Sequence, residues 1–454
     1  MLQNIVPDEL RELIEHHEWR RLARMRDRWP DYEIVAPEIP EFMDDLEKTD
    51  RVLFYRALPR DLAVEVFSYL DGDLTDALLR ELTDSETRHL LAEMEPDDRT
   101  ELLEELPGRV TQRLMNMLSP EDLKEARQLL GYPEESVGRS MTPDYVALRP
   151  DWTIARAIEH IRKHGVDVET FTMVYVTEAS GLLVDALTLQ DIILADPDSL
   201  VSDIMDHSFV SLSANDDREE AVRAMGKYDR LMLPVVDSSG VLLGIVTIDD
   251  VMDIAEEEIT EDFHRQAAIT PLKKSYWESG IWTLFKSRIG WLLGLVLVNL
   301  FAAGVISAYE EVLAAYAVLA FYIPLVIATG GNAGAQSAMV IVRSIGTGDV
   351  RMGEWLRVLG KELVIGVIIG VVIGTAGMAL GSIQGGFQIG IVVLLAMSSV
   401  IVVTNLMGVV FPFVLTRIGL DPAIASGPLI TSVADGVGLM IYFSFAVVIL
   451  GVVR

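Results

Sequence analysis

The chain contains no cysteine. This absence excludes disulfide bonds, iron–sulfur clusters and zinc sites built from thiolates. Basic residues are also scarce: 37 Lys and Arg stand against 68 Asp and Glu, for a formal charge of −31. Because nucleic-acid binding needs clustered Lys and Arg, no nucleic-acid partner is expected. The acidity suits small cations or a well-solvated surface, and charge alone does not decide between them.

The N-terminus lacks the apolar core of a signal peptide. Its first 29 residues, MLQNIVPDELRELIEHHEWRRLARMRDRW, have the pattern of an amphipathic, charged helix. The N-terminal half of the chain is therefore expected to stay in the cytoplasm.

Charge is distributed unevenly along the chain. Residues 1–270 hold 60 Asp and Glu against 27 Lys and Arg, a formal charge of −33, whereas residues 271–454 hold 8 and 10. The second part carries long apolar runs instead. Two solvents are implied, water for the first part and lipid for the second.

The second part contains four stretches with little or no charge. Residues 289–308 and 312–342 are each long enough for one membrane-spanning helix. Residues 363–416 run 54 positions without a charge, enough for two spans with a turn at 381–386. Residues 422–453 hold one charge and supply the last span. The prediction is five spans.

An odd number of spans puts the two termini on opposite sides of the membrane. Basic residues indicate which side is which, because cytoplasmic loops are enriched in Lys and Arg. The basic residues that precede the first span or lie in the loops between spans all fall on one side: Lys273, Lys274, Lys286, Arg288, Arg343, Arg351, Arg357, Lys361 and Arg417. We predict a multi-pass protein of the cell (inner) membrane whose N-terminus is cytoplasmic and whose C-terminus is outside. Its α-helical membrane domain occupies residues 281–454.

Two features inside the spans are candidates for an ion path. Asp435 is a carboxylate deep in an apolar segment, where such a group is costly and usually faces water. A protonated or capped acid between helices is the alternative. Residues 329–337, TGGNAGAQS, either loosen their helix and expose carbonyl groups to a cavity, or allow close packing of helices. The glycines alone do not decide between these.

Residues 1–136 are predicted to form an all-α superhelix of stacked helix pairs. The motif Pro-Asp-Asp at 96–98 recurs as Pro-Glu-Asp at 120–122. Proline followed by acids is typical of the first turn of a helix. We expect each helix pair to bury its apolar face on the next.

A second internal repeat covers residues 137–200 and 201–254. GLLVDALTLQD in the first half resembles GVLLGIVTIDD in the second, and Gly181, Thr188 and Asp191 lie 59 residues before their counterparts. Each half has the pattern of a strand, a helix, two short strands and another helix. This order resembles a tandem pair of CBS domains, an α/β regulatory module whose Thr-x-x-Asp often holds an adenosine ribose.

An acidic helix is predicted to connect this module to the membrane in residues 255–280. Glu258 shares a helical face with Glu261 and Asp262, and such like-charged neighbours destabilise a helix. No Lys or Arg interrupts the acidic stretch before His264. We expect a bound cation to screen these carboxylates, and an ordinary solvated helix is the alternative.

Superhelix, CBS pair, acidic helix and five spans, in this order, resemble the MgtE family of magnesium channels. AFYIPLVIATGGNAGAQS and DPAIASGPLITSVADGVGLMIY resemble the pore segments of that family. The resemblance implies a homodimer in which the second and fifth spans line a pore, with Gly331, Asn332 and Gln336 along it. Asp435 would be the pore aspartate, with the carbonyl group of Thr431 nearby. Paired carboxylates suit a hydrated Mg²⁺, because this ion loses its waters reluctantly.

The resemblance also implies Mg²⁺ sites that close the channel when intracellular Mg²⁺ is high. Mg²⁺ would then be both the transported ion and the regulatory ligand. Carboxylates in every cytoplasmic segment would take part: Glu65, Asp97 and Glu101 in the superhelix, Asp217, Glu219, Asp229, Asp250 and Asp253 in the CBS pair, Glu258, Glu261 and Asp262 in the connecting helix, and Asp421 at the membrane border.

Some positions depart from the family pattern. Asp185 replaces a small residue, Gln190 stands where Arg can occur, and Arg230 stands where an aromatic residue can occur. ATP binding to the CBS pair is therefore expected to be weak or absent. Gly427 stands where some members have Asn, so any contact from that side chain is missing.

Other functions fit the sequence less well. An enzyme or pump would need an ATPase motif, a nucleophile–base pair or a redox ligand set, and the sequence shows none. Soft metals prefer Cys or His ligands, which leaves an importer of Mn²⁺, Co²⁺ or Ca²⁺ with the same architecture as the alternative. The prediction is an Mg²⁺ channel that imports magnesium and is closed by intracellular Mg²⁺.

Overall fold

A computed structural model of the chain describes residues 12–13, 16–24, 36–44, 46–70, 72–165, 168, 170–272, 276–277 and 279–451. Its contacts divide the chain into two units, Met1–Ala255 and Glu256–Arg454. The amphipathic helix predicted over the first 29 residues lies largely outside the described residues. Lys273 and Lys274 lie outside them too.

The first unit begins with a series of short helices. They are α1 (Trp19–Arg24), α2 (Ile39–Asp44), α3 (Lys48–Ala57), α4 (Arg60–Ser68), α5 (Gly72–Glu81), α6 (Asp84–Glu93), α7 (Pro96–Glu105), α8 (Gly108–Met115) and α9 (Pro120–Leu129). Pro96 and Pro120 open α7 and α9, as the repeated motif predicts. A proline is favourable there because the first helical N–H has no partner within the helix.

A buried arginine joins helices of this stack. Arg99 of α7 is only 3% exposed. It donates to the carbonyl oxygen of Leu91 at 3.0 Å and to Oε1 of Glu125 at 2.5 Å. A buried charge requires such partners, so the bonds fix α7 against α6 and α9. Around them, one continuous apolar core runs through the stacked helices, as expected of the superhelix.

Two small sheets follow, one from each half of the second repeat. The first half contains β1 (Ala147–Leu148), α10 (Ile154–His164), β2 (Met173–Thr177), β3 (Leu183–Thr188) and α11 (Leu189–Leu194). The second contains β4 (Leu212–Ser213), α12 (Arg218–Tyr228), β5 (Met232–Val236), β6 (Leu242–Thr247) and α13 (Ile248–Gln266). In each sheet the middle strand pairs in parallel with the first strand and antiparallel with the third. The predicted order of elements is confirmed.

The two halves meet through matching turns. Gly181 and Gly240 have φ values of +85° and +81°, which glycine adopts without strain. The N–H of Leu183 donates to the carbonyl oxygen of Gly240, and the N–H of Leu242 donates to that of Gly181, each at 3.0 Å. This reciprocal pair joins β3 to β6.

The acidic helix α13 begins earlier than its predicted segment. It starts at Ile248, directly after β6, and ends at Gln266, whereas the sequence placed the connecting segment at 255–280. Asp249 and Asp250 therefore belong to its first turn. Carboxylates are favourable at that end of a helix because they complement its dipole.

The second unit consists mainly of long helices. They are α14 (Ile281–Ala308), α15 (Glu310–Ala315), α16 (Ile323–Gly346), α17 (Trp355–Gly385), α18 (Phe387–Arg417) and α19 (Gly427–Leu450). Five of them, α14 and α16 to α19, are long and apolar enough to cross a membrane, which confirms the five predicted spans. The predicted turn at 381–386 is shorter than expected, because α17 continues to Gly385 and only Gly386 separates it from α18.

Helix α16 is continuous through residues 329–337, which decides between the two alternatives that the sequence leaves open for this segment. Its glycines serve close packing instead. A Cβ on Gly330 would lie 2.4 Å from Cγ1 of Val400. A Cβ on Gly408 of α18 would lie 2.5 Å from the carbonyl oxygen of Gly334. The absence of side chains lets the two backbones approach this closely.

Candidate ion pathway and cation sites

Asp435 lies in α19, half-buried, eight residues after Gly427 begins the helix. At 1.5 Å per residue this places it about 12 Å along the helix. The next residue, Gly436, faces α14, since a Cβ there would lie 2.4 Å from Cδ1 of Phe301. Successive helical residues point about 100° apart. The carboxylate of Asp435 therefore points to a different side of α19.

Gly331 of α16 lies against Thr431 of α19. A Cβ on Gly331 would be 3.0 Å from Cγ2 of Thr431. The Thr431 hydroxyl donates to the carbonyl oxygen of Pro428 at 3.0 Å. Thr431 lies one helical turn before Asp435. The structure thus brings two of the predicted pore residues, Gly331 and Thr431, into contact, with Asp435 one turn further along α19.

Asn332 and Gln336 are one turn apart on α16, and both are exposed on the surface of the single chain. The adjacent residues Gly331 and Ser337 are buried. Polar side chains on a membrane helix are costly in lipid. This face of α16 therefore requires water or a second protein surface beside it.

Asp250 lies at the start of α13, where the hydroxyl of Thr247 donates to its Oδ2 at 2.7 Å. Burial raises the pKa of Asp250 to about 6. The charges of Asp249 and Asp98 add to this rise, and the hydrogen bond from Thr247 opposes it. Burial and the charge of Asp249 likewise raise the pKa of Asp98 on α7, although a hydrogen bond from Ser68 lowers it in part. The superhelix and the CBS pair thus bring like charges together. A bound cation would relieve both shifts.

Tyr69 lies near Asp98 and Asp249 and near two further carboxylates, Glu65 and Asp253. Burial, followed by the charges of Glu65, Asp98, Asp249 and Asp253, raises the pKa of its hydroxyl. We define the acidic cluster as Glu65, Asp98, Asp249, Asp250 and Asp253. Of the other residues predicted in the superhelix, Asp97 is buried and Glu101 is exposed, both on α7.

The predicted ligands Asp217 and Asp229 flank the two ends of α12, and Glu219 lies in its first turn. The three side chains do not share one site within the chain. Oδ1 of Asp217 accepts a hydrogen bond from the N–H of Glu219 at 2.9 Å, and Glu219 is paired with Arg223. Asp229 follows the other end of the helix, with φ of +52°. A helix of 11 residues is about 16 Å long, so Asp217 and Asp229 are separated by that length.

An arginine holds the end of α13 to the loop between α18 and α19. The half-buried carboxylates of this part of α13 are Glu258, Glu261 and Asp262. Arg265, one turn after Glu261, pairs both with that residue and with Asp421. Oδ1 of Asp421 accepts a further bond from the N–H of Ala423 at 2.7 Å. Two carboxylates that the resemblance assigns to Mg²⁺ are thus bound to a guanidinium in this structure.

Within the described part of the chain, no three His, Asp or Glu side chains come close enough to ligate one metal ion together. Mg²⁺ usually keeps several waters and is bound through one or two carboxylates. Asp98 with Asp250, and Glu261 with Asp421, are carboxylate pairs of the kind that such a hydrated ion can bridge.

Sequence reasoning missed Asp98, Asp249 and Arg265. The two aspartates each lie one position from a predicted residue, and a rotation of about 100° per residue decides which side chain joins the cluster. Arg265 is the first base after the acidic stretch and lies four residues after Glu261. That spacing favours an ion pair and could have identified it.

Asp185 and Thr188, two positions that the sequence analysis connects with nucleotide binding, lie on β3 of the first sheet. Asp185 is fully buried, and its Oδ2 accepts hydrogen bonds from the N–H groups of Asp206 and His207 at 2.9 and 3.0 Å. It therefore fixes the segment that follows the first half of the repeat. The Thr188 hydroxyl donates to Oδ2 of Asp191 at 2.5 Å at the start of α11.

Three family models match the chain. The MgtE model, a divalent cation transporter, matches residues 323–445, the MgtE intracellular N domain matches 36–135, and the CBS domain matches 135–198 and 201–257. Magnesium transporter MgtE of Thermus thermophilus is 34% identical over 443 residues, which cover 96% of this chain and 97% of the relative. Magnesium transporter MgtE of Bacillus subtilis is 30% identical over 418 residues, covering 89% and 92%.

Two solved structures resemble the first part of the chain. The cytosolic domain of the Mg²⁺ channel MgtE in complex with ATP is 33% identical, with a TM-score of 0.51, and covers 54% of this chain and 98% of that chain. The soluble part of a magnesium transporter is 28% identical, with a TM-score of 0.51, and covers 55% and 98%. Because the first of these contains ATP, the expectation of weak or absent nucleotide binding has no support from the comparisons. The matches extend over nearly the whole length, and this chain belongs to the MgtE family of divalent cation transporters.

Proposed function

We propose that this chain forms a homodimeric Mg²⁺ channel that admits magnesium across the cell membrane and closes when cytoplasmic Mg²⁺ rises. The ion is taken from the related magnesium transporters. The observation that carries the proposal is the exposed polar face of α16, Asn332 and Gln336, on a helix packed against the one that holds Asp435.

Permeation follows from pairing two such chains. A membrane-facing polar surface is stabilised when it meets the same surface of a second copy around water. The two Asp435 carboxylates would then lie across the two-fold axis and attract a divalent ion. Gly331 has no side chain to block the path beside Thr431, whose carbonyl group could accept from the waters around Mg²⁺.

Closure follows from the acidic cluster of the first unit. Without a divalent ion, the like charges of Asp98, Asp249 and Asp250 repel each other, as their raised pKa values indicate for Asp98 and Asp250. Mg²⁺ bridging these groups would draw α7 and the start of α13 together. Through α13, that movement would reach Glu258, Glu261 and Asp262, and so the pore entrance near Asp421.

One weak site cannot close the channel. A site whose Kd equals the Mg²⁺ concentration contributes only RT ln 2, about 0.4 kcal/mol. Moving a gate from mostly open to mostly closed needs roughly 5 kcal/mol. Many carboxylates must therefore act together, among them Asp97, Glu101, Asp217, Glu219 and Asp229.

The proposal places the segments and termini as follows. The superhelix (1–136), CBS pair (137–200 and 201–254) and connecting segment (255–280) lie in the cytoplasm, and residues 281–454 form the pore domain. Basic residues in the last turns of α16 and α18, Arg343 and Arg417, support this orientation, and the C-terminus would be outside.

We extend the proposal to a nucleotide. ATP, which the related cytosolic domain contains, would bind beside Thr188 and Asp191, whose hydrogen bond already orients both side chains. Calorimetry with ATP on the purified protein should give heat that Thr188→Ala reduces. No heat from the wild-type protein would contradict this extension.

The experiment that tests the main proposal is Mg²⁺ flux in proteoliposomes. Flux is expected with low Mg²⁺ on the cytoplasmic side and should stop at millimolar Mg²⁺ there. Parallel assays with Mn²⁺, Co²⁺ and Ca²⁺ should give slower flux. Faster flux of one of these ions than of Mg²⁺ would identify a different substrate, and flux unaffected by cytoplasmic Mg²⁺ would contradict the closing mechanism.

A further inference from the structure

Glu362 is a carboxylate inside a membrane helix that the proposed ion path does not use. It lies seven residues after Trp355 begins α17, about 10 Å along that helix. It is half-buried. A carboxylate at such a position is costly unless it has partners, and it usually has a function.

Glu362 has partners on two other helices. Its Oε2 accepts hydrogen bonds from the Ser337 hydroxyl of α16 and from Nδ2 of Asn405 of α18, each at 3.2 Å. Ser337 and Asn405 are 6% and 3% exposed, so both side chains lie away from solvent and lipid. The Ser337 hydroxyl also lies 3.2 Å from the carbonyl oxygen of Asn405. One carboxylate oxygen therefore joins α16, α17 and α18.

These hydrogen bonds lie beside a close contact between α16 and α18. Gly334 of α16 and Gly408 of α18 are one turn or less from Ser337 and Asn405, and a Cβ on Gly408 would lie 2.9 Å from Cβ of Ser337. The glycines bring the two backbones together, but a helix face without side chains does not fix the rotation of that helix about its own axis. A directional hydrogen bond does.

Ser337 and Gln336 are neighbours that point to different sides of α16. Ser337 is buried toward α17 and α18, whereas Gln336 and Asn332 are exposed. Because successive residues point about 100° apart, a bond that holds Ser337 inward holds Gln336 outward.

We propose that Glu362 is a positioning residue for ion transport, whose bonds to Ser337 and Asn405 fix the rotation of α16 and so turn Asn332 and Gln336 toward the ion path. This inference rests on the proposed function, because it takes that face of α16 as the path. Its role requires the acceptor oxygen and not the charge. Gln at position 362 keeps such an oxygen, whereas Ala removes it.

Two measurements test the inference. In proteoliposomes, Glu362→Ala should lower Mg²⁺ flux about tenfold, the effect of losing membrane hydrogen bonds, while Glu362→Gln keeps most of it. In the chain without natural cysteine, Gln336→Cys should react with a water-soluble methanethiosulfonate. Adding Glu362→Ala should slow that reaction, and adding Glu362→Gln should not. Asp349→Ala, in the exposed loop after α16, is the control and should change neither measurement.

The outcomes separate the inference from the proposed function. Wild-type flux and labelling in Glu362→Ala would overturn the inference, as would equal loss in Glu362→Gln, since charge would then act. If the protein carries no Mg²⁺ but labelling still depends on Glu362, the proposed function fails and the rotational role stands. Should Glu362→Ala not reach the membrane, Ser337→Ala removes one bond and should slow flux and labelling about threefold. Unchanged values in that variant would overturn the inference.

Discussion

The hydroxyl of Thr247 donates to Oδ2 of Asp250 at 2.7 Å, at the junction where β6 ends and α13 begins. This bond supports the negative charge of a half-buried carboxylate, yet desolvation and the charges of Asp249 and Asp98 outweigh it and raise the pKa of Asp250 to about 6. The first unit of the folded chain is therefore destabilised by its own acids at neutral pH when no divalent cation is present.

Asp250→Asn should stabilise the Mg²⁺-free first unit at pH 7. A carboxylate whose pKa rises from 3.8 unfolded to about 6 folded lowers the free energy of unfolding as pH rises through that window, by about 3 kcal/mol above it. Asn removes this penalty and still accepts the bond from Thr247. Thermal unfolding of residues 1–270 should show a higher Tm for the variant at pH 7 and little difference near pH 4.

Magnesium should narrow the difference in Tm between the wild type and the variant. It should raise the Tm of the wild-type fragment more than that of the variant, because only the wild type gains relief of charge. Asp151→Asn, an exposed residue of the same unit, is the matched control. A variant no more stable than this control at pH 7 would show that the carboxylate is already compensated.

Closure should depend on many carboxylates rather than one. Asp97→Ala should shift the closing Mg²⁺ concentration by about twofold, since one site contributes only a few tenths of a kcal/mol. Replacing Asp97, Asp250 and Glu258 together should leave current at high Mg²⁺, and deleting residues 1–136 should weaken closure while conduction persists. Patch-clamp current against cytoplasmic Mg²⁺ measures all three. If all three close at the wild-type concentration, the acidic surface is only a solvated one.

Arg265→Gln should lower the Mg²⁺ concentration that closes the channel. Mg²⁺ that bridges Glu261 and Asp421 must displace the Arg265 guanidinium from both, and Gln competes far less. The same current recordings measure the shift, expected to be several-fold. Arg417→Gln, an exposed base near the same loop, is the control. A shift to higher Mg²⁺ would mean that the arginine itself holds the closed state.

Asp435→Ala should lower Mg²⁺ flux more than about tenfold, because losing any interaction above about 1.4 kcal/mol in the rate-limiting state has that effect. The variant should still insert and dimerise, which size-exclusion chromatography in detergent can check. Asp349→Asn removes a charge outside the spans and should leave flux unchanged. Near-normal flux through a properly inserted Asp435→Ala protein would exclude this carboxylate from the path.

Gly408→Ala should destabilise the membrane unit. The added Cβ would lie 2.5 Å from the Gly334 carbonyl oxygen, which is backbone and cannot move aside without shifting α16. Overpacking of this kind typically costs about 1–3 kcal/mol. Gly360→Ala on α17 has nothing within 4 Å of its Cβ and is the control. Thermal aggregation in detergent should separate the two variants, and equal midpoints would contradict the close α16–α18 contact.

Much of the fold is predictable from the sequence because its signals are local. Span number follows from the length of uncharged runs, helix starts follow from Pro96 and Pro120, and the CBS pair follows from a 59-residue repeat. The behaviour of residues 329–337 was not predictable. The same glycines suit an opened helix or a closely packed one, and the neighbouring helices α18 and α19 decide between them.

Candidate sites were predictable only in part, since their partners lie far apart in the sequence. Glu362 marks the edge of an uncharged run, and in the sequence it looks like a boundary residue. Its partners Ser337 and Asn405 are 25 and 43 residues away. Asp98 and Asp250 are also far apart in the sequence, since one belongs to the superhelix and the other to the CBS pair. Residue type and spacing identify a carboxylate, but tertiary packing decides what it faces.

The single residue between α17 and α18 has a consequence for how the protein is made. Two helices of 31 residues joined at Gly386 are expected to enter the bilayer as one hairpin. A connection of one residue is too short for one helix to insert well before the other. Closing so short a connection loses little chain entropy. The glycines of α17 then meet α18 early; a Cβ on Gly370, for example, would lie 2.8 Å from the carbonyl oxygen of Ser398. During synthesis α17 and α18 would therefore pair with each other as soon as both have been made, and α19, which follows them in the chain, would pack on an assembled hairpin.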